Sequence, residues 1–396
     1  MNLQYKNKKS KSEIILKTKP AYFKTKEIYG DDPNNILFEG ENLQVMKTML
    51  YNLNYAGKID LVYIDPPFAT NNTFKYNSDR TATISSSNND EIAYNDNLKG
   101  FEFIEFLRER LIFVYELLAK DSSIYLHIDY KIGHYVKVIL DEIFGPKNFR
   151  NDITRIKCNP KNFPRNGYSN IKDMILFYTK GKDFIWNEPK QEMTEEEIKK
   201  LFPKIDSKGR RYTTTPLHAP GETDNGNTGK KWNGLLPPKG RHWRCEPKIL
   251  DQLDKAGLIE WSSTGNPRKI IYAEESRQNG KRIQDIWEFK DTPYPEYPTE
   301  KNQDLLDLII RTSSLSGQLV FDCFCGSGTT LLMADKLRRK WIGIDNSKIA
   351  INIIKKRLSS ETPLINTGAE YVYIKQVQRS NEPKEKTAKL GSSDLL

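Results

Sequence analysis

This chain of 396 residues has little of what staples or anchors a protein. Its four cysteines form no C-x-x-C pair, which argues against a disulfide framework and a zinc ribbon. No apolar run approaches the length that spans a bilayer, and the N-terminus is too polar for a signal peptide. A soluble, reduced, cytoplasmic protein without a membrane partner is expected. The full G-x-G-x-x-G of dinucleotide enzymes is absent too, so a pyrophosphate-bearing cofactor is disfavoured. Neither H-x-E nor P-C-x-x-C occurs, which removes zinc-dependent base deamination. No metal is expected.

What remains is basic and aromatic. Lys and Arg number 62 against 52 Asp and Glu, for a net charge of +10, and the pI is about 9.1. Such a surplus favours a polyanionic partner. Apolar residues make up 37%, with 17 Phe, 20 Tyr and 6 Trp, enough for one large α/β core and an additional module.

The apolar run Ile59-Asp60-Leu61-Val62-Tyr63-Ile64 reads as a strand that stops at Asp65-Pro66-Pro67-Phe68. Open α/β sheets place their chemistry at the carboxyl ends of strands. Two prolines fix φ there and remove two N–H donors. The result is an acceptor-rich corner, the Asp65 carboxylate and bare carbonyls beside a flat ring. It suits a planar group carrying an NH2, such as the exocyclic amine of a nucleobase. A strand merely ending in a Pro-Pro turn is the plainer reading of these four residues.

A second strand, Leu319-Val320-Phe321-Asp322, runs into Cys323-Phe324-Cys325-Gly326-Ser327-Gly328-Thr329-Thr330. A helical pattern follows to Leu337, then a strand from Lys340 ending in Asp345. The acid stands about 20 residues past the glycines, the layout by which a βαβ unit holds a nucleoside cofactor. Glycines let the backbone approach the ligand and the acid accepts from ribose hydroxyls. A helix N-cap is the alternative role for Asp345. Cys323 and Cys325 read as small apolar packing.

Together the two motifs resemble the S-adenosylmethionine-dependent DNA amino-methyltransferases. The corner precedes the glycine loop, the circularly permuted order of the beta class, and the resemblance runs from about 36 to about 358. It extends to Phe38-Glu39-Gly40-Glu41-Asn42, Ser123 to Asp129, Tyr168 to Tyr178 and Tyr297-Pro298-Thr299-Glu300-Lys301. Three positions depart from it: Phe68 for tyrosine, Cys323 for proline and Asn302 for the proline that often follows the lysine. The first loses a hydroxyl and keeps the stacking face.

The resemblance implies a Rossmann-like, mostly parallel twisted sheet flanked by helices, with an inserted target-recognition region. It implies methyl transfer from S-adenosylmethionine to adenine N6 in double-stranded DNA within a restriction-modification system. Cytosine N4 is the close alternative, and a non-catalytic DNA-binding specificity or sensor protein the distant one. Asp65, Pro66, Pro67 and Phe68 would be catalytic. Asp322, Phe324, Gly326, Gly328, Thr329 and Asp345 would hold the cofactor, with Glu41, Asn42 and Lys301 nearby; a surface position is the alternative for Lys301. His127 is expected to be structural. A separate restriction endonuclease subunit and a homodimer are the implied protein partners.

The sections that follow are a Lys-rich, irregular N-terminal arm at 1–35 and a catalytic half at 36–150. A target-recognition region spans 151–290, with 168–180 in the main sheet. A cofactor half spans 291–360, and 361–396 forms a C-terminal extension with a polar tail. Segment 71–98 is rich in Ser, Asn, Thr and Asp and reads as a loop directly after the corner. The helix from Phe101 should bury Phe103, Phe106, Leu107, Ile112 and Val114. Basic and aromatic residues interleave at Lys208 to Tyr212 and at Pro237 to Arg244, as phosphate contacts and stacking on bases require.

Overall fold

The structure is a computed structural model that describes residues 2–31, 33–67, 73–76, 91–95, 100–160, 166–223, 226–291, 300–360 and 369–378. The chain forms two compact units, residues 1–188 with 284–396, and residues 189–283. Among the described residues no helix is long and apolar enough to cross a membrane.

The first unit is built on a ten-stranded sheet. In chain order its strands are β1 (Tyr22–Tyr29), β2 (Asn35–Glu39), β3 (Ile59–Ile64), β4 (Leu118–Ile128), β5 (Phe149–Ile156), β6 (Lys172–Thr179), β7 (Ile286–Trp287), β8 (Leu319–Asp322), β9 (Lys340–Asp345) and β10 (Tyr371–Val377). Their order across the sheet is β1-β10-β2-β9-β8-β3-β4-β6-β5-β7. The six from β10 to β4 are mutually parallel, while β1 and β6 run against their neighbours. Parallel strands are covered on both faces and so read as nearly continuous apolar runs. Leu61, Val62, Tyr63 and Ile64 of β3 are accordingly all buried, as are Val320 and Phe321 of β8.

One pairing decides the position of the site. β3 and β8 lie side by side, with Val320 opposite Leu61 and Phe321 opposite Val62. Asp60, the polar break in β3, accepts the Leu319 N–H at 2.8 Å and locks the amino ends together. Both strands therefore release their terminal acids, Asp65 and Asp322, at one carboxyl edge. Side-chain caps start the helices that return along the sheet. Glu41 caps Asn42–Tyr51, Asp129 caps Tyr130–Phe144 and Asn302 caps Gln303–Ser313. Asn302, the departure from proline, thus has a structural reason of its own.

Several expectations meet a different arrangement. Residues 1–35 are not irregular throughout: they hold a helix, Lys11–Lys17, and edge strand β1. The segment after the main helices contributes β10 to the sheet, while 361–368 and 379–396 lie outside the described residues. β5, β6 and β7, all within 149–287, belong to the main sheet, and the separate unit is narrower, 189–283. Within 71–98 the backbone of two paired strands is described, Thr73–Tyr76 and Glu91–Asn95, and the rest lies outside the described residues. In the helix Phe101–Leu117, Phe103, Leu107, Ile112 and Val114 are buried, whereas Phe106 is half-buried.

The second unit has a four-stranded antiparallel sheet, with Arg211–Pro216 beside Pro267–Tyr272 at its centre. A hairpin pairs His218–Pro220 with Arg241–Trp243. Leu217, Trp232, Trp243 and Leu250 form one buried cluster of this unit and Ile198, Phe202 and Ala273 another, and the Trp232 indole donates to Asp251 at 2.9 Å.

Phe321 sits fully buried at the β3–β8 seam. Phe321→Ala is expected to cost about 3–5 kcal/mol of stability, seen as a lower urea midpoint than the wild type. An unchanged midpoint would contradict the packing described for this seam.

Candidate active site

At the end of β3, Asp65 is half-buried and Pro66 buried; Phe68 lies outside the described residues. The Asp65 carboxylate is occupied on one side. Lys301 Nζ stands 2.7 Å from Oδ2. Oδ1 is buried, accepts no hydrogen bond among the described residues, and lies 4.0 Å from His127 Nδ1. Lys301, expected near a cofactor carboxylate or at the surface, is largely buried, not at the surface, and is an ion-pair partner of the corner.

Behind Asp65 runs a buried chain of polar groups. His127 is fully enclosed; burial holds its pKa below the ordinary value, although Asp173 pulls the other way. A neutral ring fits the geometry with Nε2–H donating to Asp173 Oδ2 at 3.2 Å and Nδ1 accepting from the Tyr63 hydroxyl at 2.9 Å. Asp173 also takes Lys157 Nζ on Oδ1 at 2.6 Å, and Arg155 Nη1 stands 3.6 Å away. Burial alone would raise the Asp173 pKa, but the bond from His127 and the Lys157 charge outweigh it and keep the carboxyl ionised. Arg155 continues outward to Asp291 at 2.7 Å.

The glycine loop at the end of β8 is pinned by two acids. Asp322, itself buried, accepts the Phe324 N–H at 3.0 Å and the Thr330 hydroxyl at 2.7 Å. Burial pushes its pKa up to about 7. Asp345, at the end of β9, accepts the Gly326 N–H on one oxygen and the Ser347 N–H on the other, each at 2.8 Å. Burial raises it to about 6. Asp345 therefore braces the turn before the helix Lys348–Ser360 and the glycine loop together. The Asn346 N–H adds a third backbone bond to this carboxylate, whose two oxygens still have acceptor capacity for a further donor. Gly326 and Gly328 have φ of 50° and 77°, a region that favours glycine. The thiols of Cys323 and Cys325 are buried and pushed well up by that burial, so they pack rather than react.

Glu41 and Asn42 reach the same loop through a buried arginine. Arg110 donates to Asn42 Oδ1 at 2.7 Å and to Glu41 Oε1 at 2.5 Å, and stacks 3.5 Å over the Phe106 ring. Asn42 then donates to the Cys323 carbonyl at 2.8 Å. On the opposite flank, buried Arg357 bonds the Ser327 carbonyl and the Thr329 hydroxyl, each at 3.2 Å, and pairs with Glu300 at 3.0 Å. Beyond Asp345 a cleft of about 470 Å³ is lined by Glu39, Gly40, Glu41, Gln44, Asn346 and Gln376. That volume is within the range of small-molecule sites.

The sequence pattern pointed to the acids and glycines but not to Tyr63, Arg110, Arg155, Lys157, Asp173 or Arg357. One signal was present: Arg110 and Arg357 are charged residues at apolar-stripe positions, beside Leu111 and Leu358, and a buried charge needs a partner.

The DNA methylase family, whose name covers N6 and N4 methyltransferases, matches residues 59–356. The type II methyltransferase M.EcaI of Enterobacter cloacae is 40% identical over 370 residues, covering 91% of this chain and 78% of that one. The probable type III restriction-modification enzyme HindVI Mod subunit of Haemophilus influenzae is 22% identical over 446 residues, covering 92% and 57%. The EcoP15I Mod subunit of Escherichia coli is 31% identical over 259 residues, covering 60% and 36%. The chain thus spans little more than half, or less, of these two type III subunits.

Asp322 gives the site a pH signature. Its folded pKa of about 7 exceeds the ordinary 3.8, so the folded state holds a proton that the unfolded chain releases. This contribution to stability is fully present below about pH 4 and is lost as pH rises through about 7, on the order of 4 kcal/mol. Asp345 adds in the same direction up to about pH 6. Asp322→Asn is expected to flatten this decline, measured as urea midpoints from pH 4 to 8. Parallel wild-type and variant curves would show that Asp322 does not carry it.

Proposed function

Because the chain belongs to the DNA methylase family, we propose that it is a cytoplasmic, site-specific methyltransferase of a restriction-modification system, acting on adenine N6 in double-stranded DNA. One observation carries this reading. An acceptor corner, Asp65 with Pro66, and a glycine loop held by Asp322 and Asp345 share one sheet edge, on neighbouring strands or one strand further along. An aspartate heading the corner favours adenine by resemblance, and cytosine N4 is the second reading.

The residues present fit S-adenosylmethionine. Gly328 turns the loop into the helix at a φ of 77° and packs against Ile354, where a Cβ would stand 2.7 Å from Cγ1, which fixes the loop beside the acids. The helix Thr329–Lys336 starts without a side-chain cap, which leaves its first N–H groups for a carboxylate. Asp322 ionises more readily beside cationic sulfur and nitrogen, and the Asp345 lone pairs suit ribose hydroxyls. Phe324, Gly326, Gly328 and Thr329 would line the donor, with Glu41 on its outer side and Asn42 supporting the loop at Cys323. When bound, S-adenosylmethionine supplies an electrophilic methyl on a sulfonium whose departing thioether needs no acid.

The chain's own groups present the amine. A base inside a duplex must leave the stack, which costs a few kcal/mol. Phe68 is assigned the stacking partner of the extruded base, returning about 1–3 kcal/mol. Asp65 and the Pro66 carbonyl each accept one N–H, which draws the nitrogen toward tetrahedral geometry and aims its lone pair. Alignment of this kind supplies up to about 7–11 kcal/mol of the barrier. Residues 189–283, where basic residues outnumber acidic ones, are assigned to DNA contact. A matching nuclease is assigned to a separate subunit, in line with relatives named as Mod subunits. Pairing of two copies is proposed by resemblance.

Mixed-sequence DNA incubated with methyl-labelled S-adenosylmethionine is expected to carry its label as N6-methyladenine. Label in N4-methylcytosine would move the target and keep the mechanism; absent cofactor binding would sink the reading. Asp65→Ala is expected to retain DNA and cofactor binding while transfer falls by about 10³-fold or more. A variant that kept full transfer would remove Asp65 from the mechanism.

A further inference from the structure

Asp65 and Lys301 form a tight, sheltered pair. Their charged atoms are 2.7 Å apart, with 15% and 11% of the respective side chains exposed. An amine acceptor alone does not call for a lysine here, because one carboxylate oxygen and the Pro66 carbonyl already serve two N–H groups. Yet Lys301 is anchored from behind. Its neighbour Glu300 pairs with Arg357, and Arg357 holds the glycine loop through Ser327 and Thr329. The corner thus presents an acceptor and a cationic donor side by side, together with a carboxylate oxygen that has no hydrogen bond among the described residues.

We propose that Asp65 and Lys301 together read the edge of the target base, with Lys301 as a specificity-determining residue. Asp65 accepts an amino N–H and Lys301 donates to the ring nitrogen beside it. The proposal rests on the amino-methyltransferase reading above and specifies which bases that site admits. In adenine the amino group and N1 share one carbon, and in cytosine the amino group and N3 do. Both bases therefore offer a donor next to a lone pair. Guanine and thymine offer a carbonyl next to an N–H at the same edge, the reverse polarity. Their carbonyl would face the Asp65 carboxylate and their N–H the Lys301 ammonium. Buried polar groups left unpaired or opposed in this way discriminate strongly. The ammonium has rotatable donors and re-aims one at the base while staying beside Oδ2.

The test removes the ring nitrogen instead of the enzyme's charge alone. Duplexes carry 1-deaza-2′-deoxyadenosine at the target site or, if the labelled product is N4-methylcytosine, 3-deaza-2′-deoxycytidine. The ring change by itself makes the amine more nucleophilic, so a loss of rate reports a lost contact. Wild-type kcat/KM is expected to fall about 10–100-fold on the deaza duplex, as for one hydrogen bond to a charged group. Lys301→Met is expected to lose a similar factor on the natural duplex and nothing further on the deaza one, with KM for S-adenosylmethionine nearly unchanged. Lys301→Arg, which keeps a cationic donor, should recover sensitivity to the deaza base. Equal wild-type rates on both duplexes, or independent losses in Lys301→Met, overturn the proposal. The wild-type comparison decides even where a variant fails to fold. A wild type that labels no base overturns this proposal and the methyltransferase reading together, whereas equal labelling of both duplexes overturns this one alone.

Discussion

The site depends on a parallel pairing between two strands that are remote in sequence. The Leu319 amide and the Asp60 carboxylate it meets are 259 residues apart in the chain. Once they are joined, the register of β3 on β8 leaves no freedom in where the strands end. Asp65 and Asp322 emerge together because Phe321 lies opposite Val62. A one-residue slip would turn every side chain of a strand to the other face and separate the corner from the loop. The circularly permuted order of the motifs therefore has no structural consequence. Sheet position, and not chain order, makes the two halves neighbours.

Around that edge the protein spends its buried charge unevenly. Asp173 is surrounded by Lys157, Arg155 and His127 and stays ionised. Among the described residues Asp322 is held by an amide and a hydroxyl, and burial, with the nearby Asp65 and Asp345 charges adding to it, drives its pKa up to about 7. Two aspartates in one sheet edge thus differ in protonation by surroundings alone. The difference suits their positions. Asp173 anchors His127 and Tyr63 permanently beneath the corner, whereas Asp322 sits where a cationic ligand would repay its ionisation.

Much of this was legible in the sequence, and the boundary of legibility is physical. Continuous apolar runs ending in acids marked β3, β8 and β9, because a strand covered on both faces has nowhere to place polar groups except its ends. Gly326 and Gly328 marked a turn that needs positive φ. Other features depend on side chains meeting across the fold, and no local pattern encodes that. Lys301 read equally as a surface or a cofactor lysine, yet it pairs with Asp65 across more than half the chain. Asn42 read as a cofactor neighbour, yet its amide spans Arg110 and the Cys323 carbonyl. Residues 1–35 looked irregular because the Lys-rich composition hides an edge strand, whose outer face tolerates charge.

The Lys301 pair also constrains what Asp65 can do. Methyl transfer to an amine moves positive charge onto nitrogen, and a lone carboxylate would stabilise that charge by proximity. A carboxylate already neutralised at 2.7 Å by an ammonium does so much less. In the proposed mechanism the contribution of Asp65 then lies mainly in geometry, in fixing which N–H is held and where the lone pair points. That division fits the restraints that the described residues place around Asp65. Pro66 and Pro67 restrict the backbone, the Tyr63–His127–Asp173 chain supports the strand ends from below, and Glu300 with Arg357 ties Lys301 to the glycine loop. A site that works by placement needs each of these restraints, because an alignment effect of many kcal/mol is lost with small displacements of the reacting atoms.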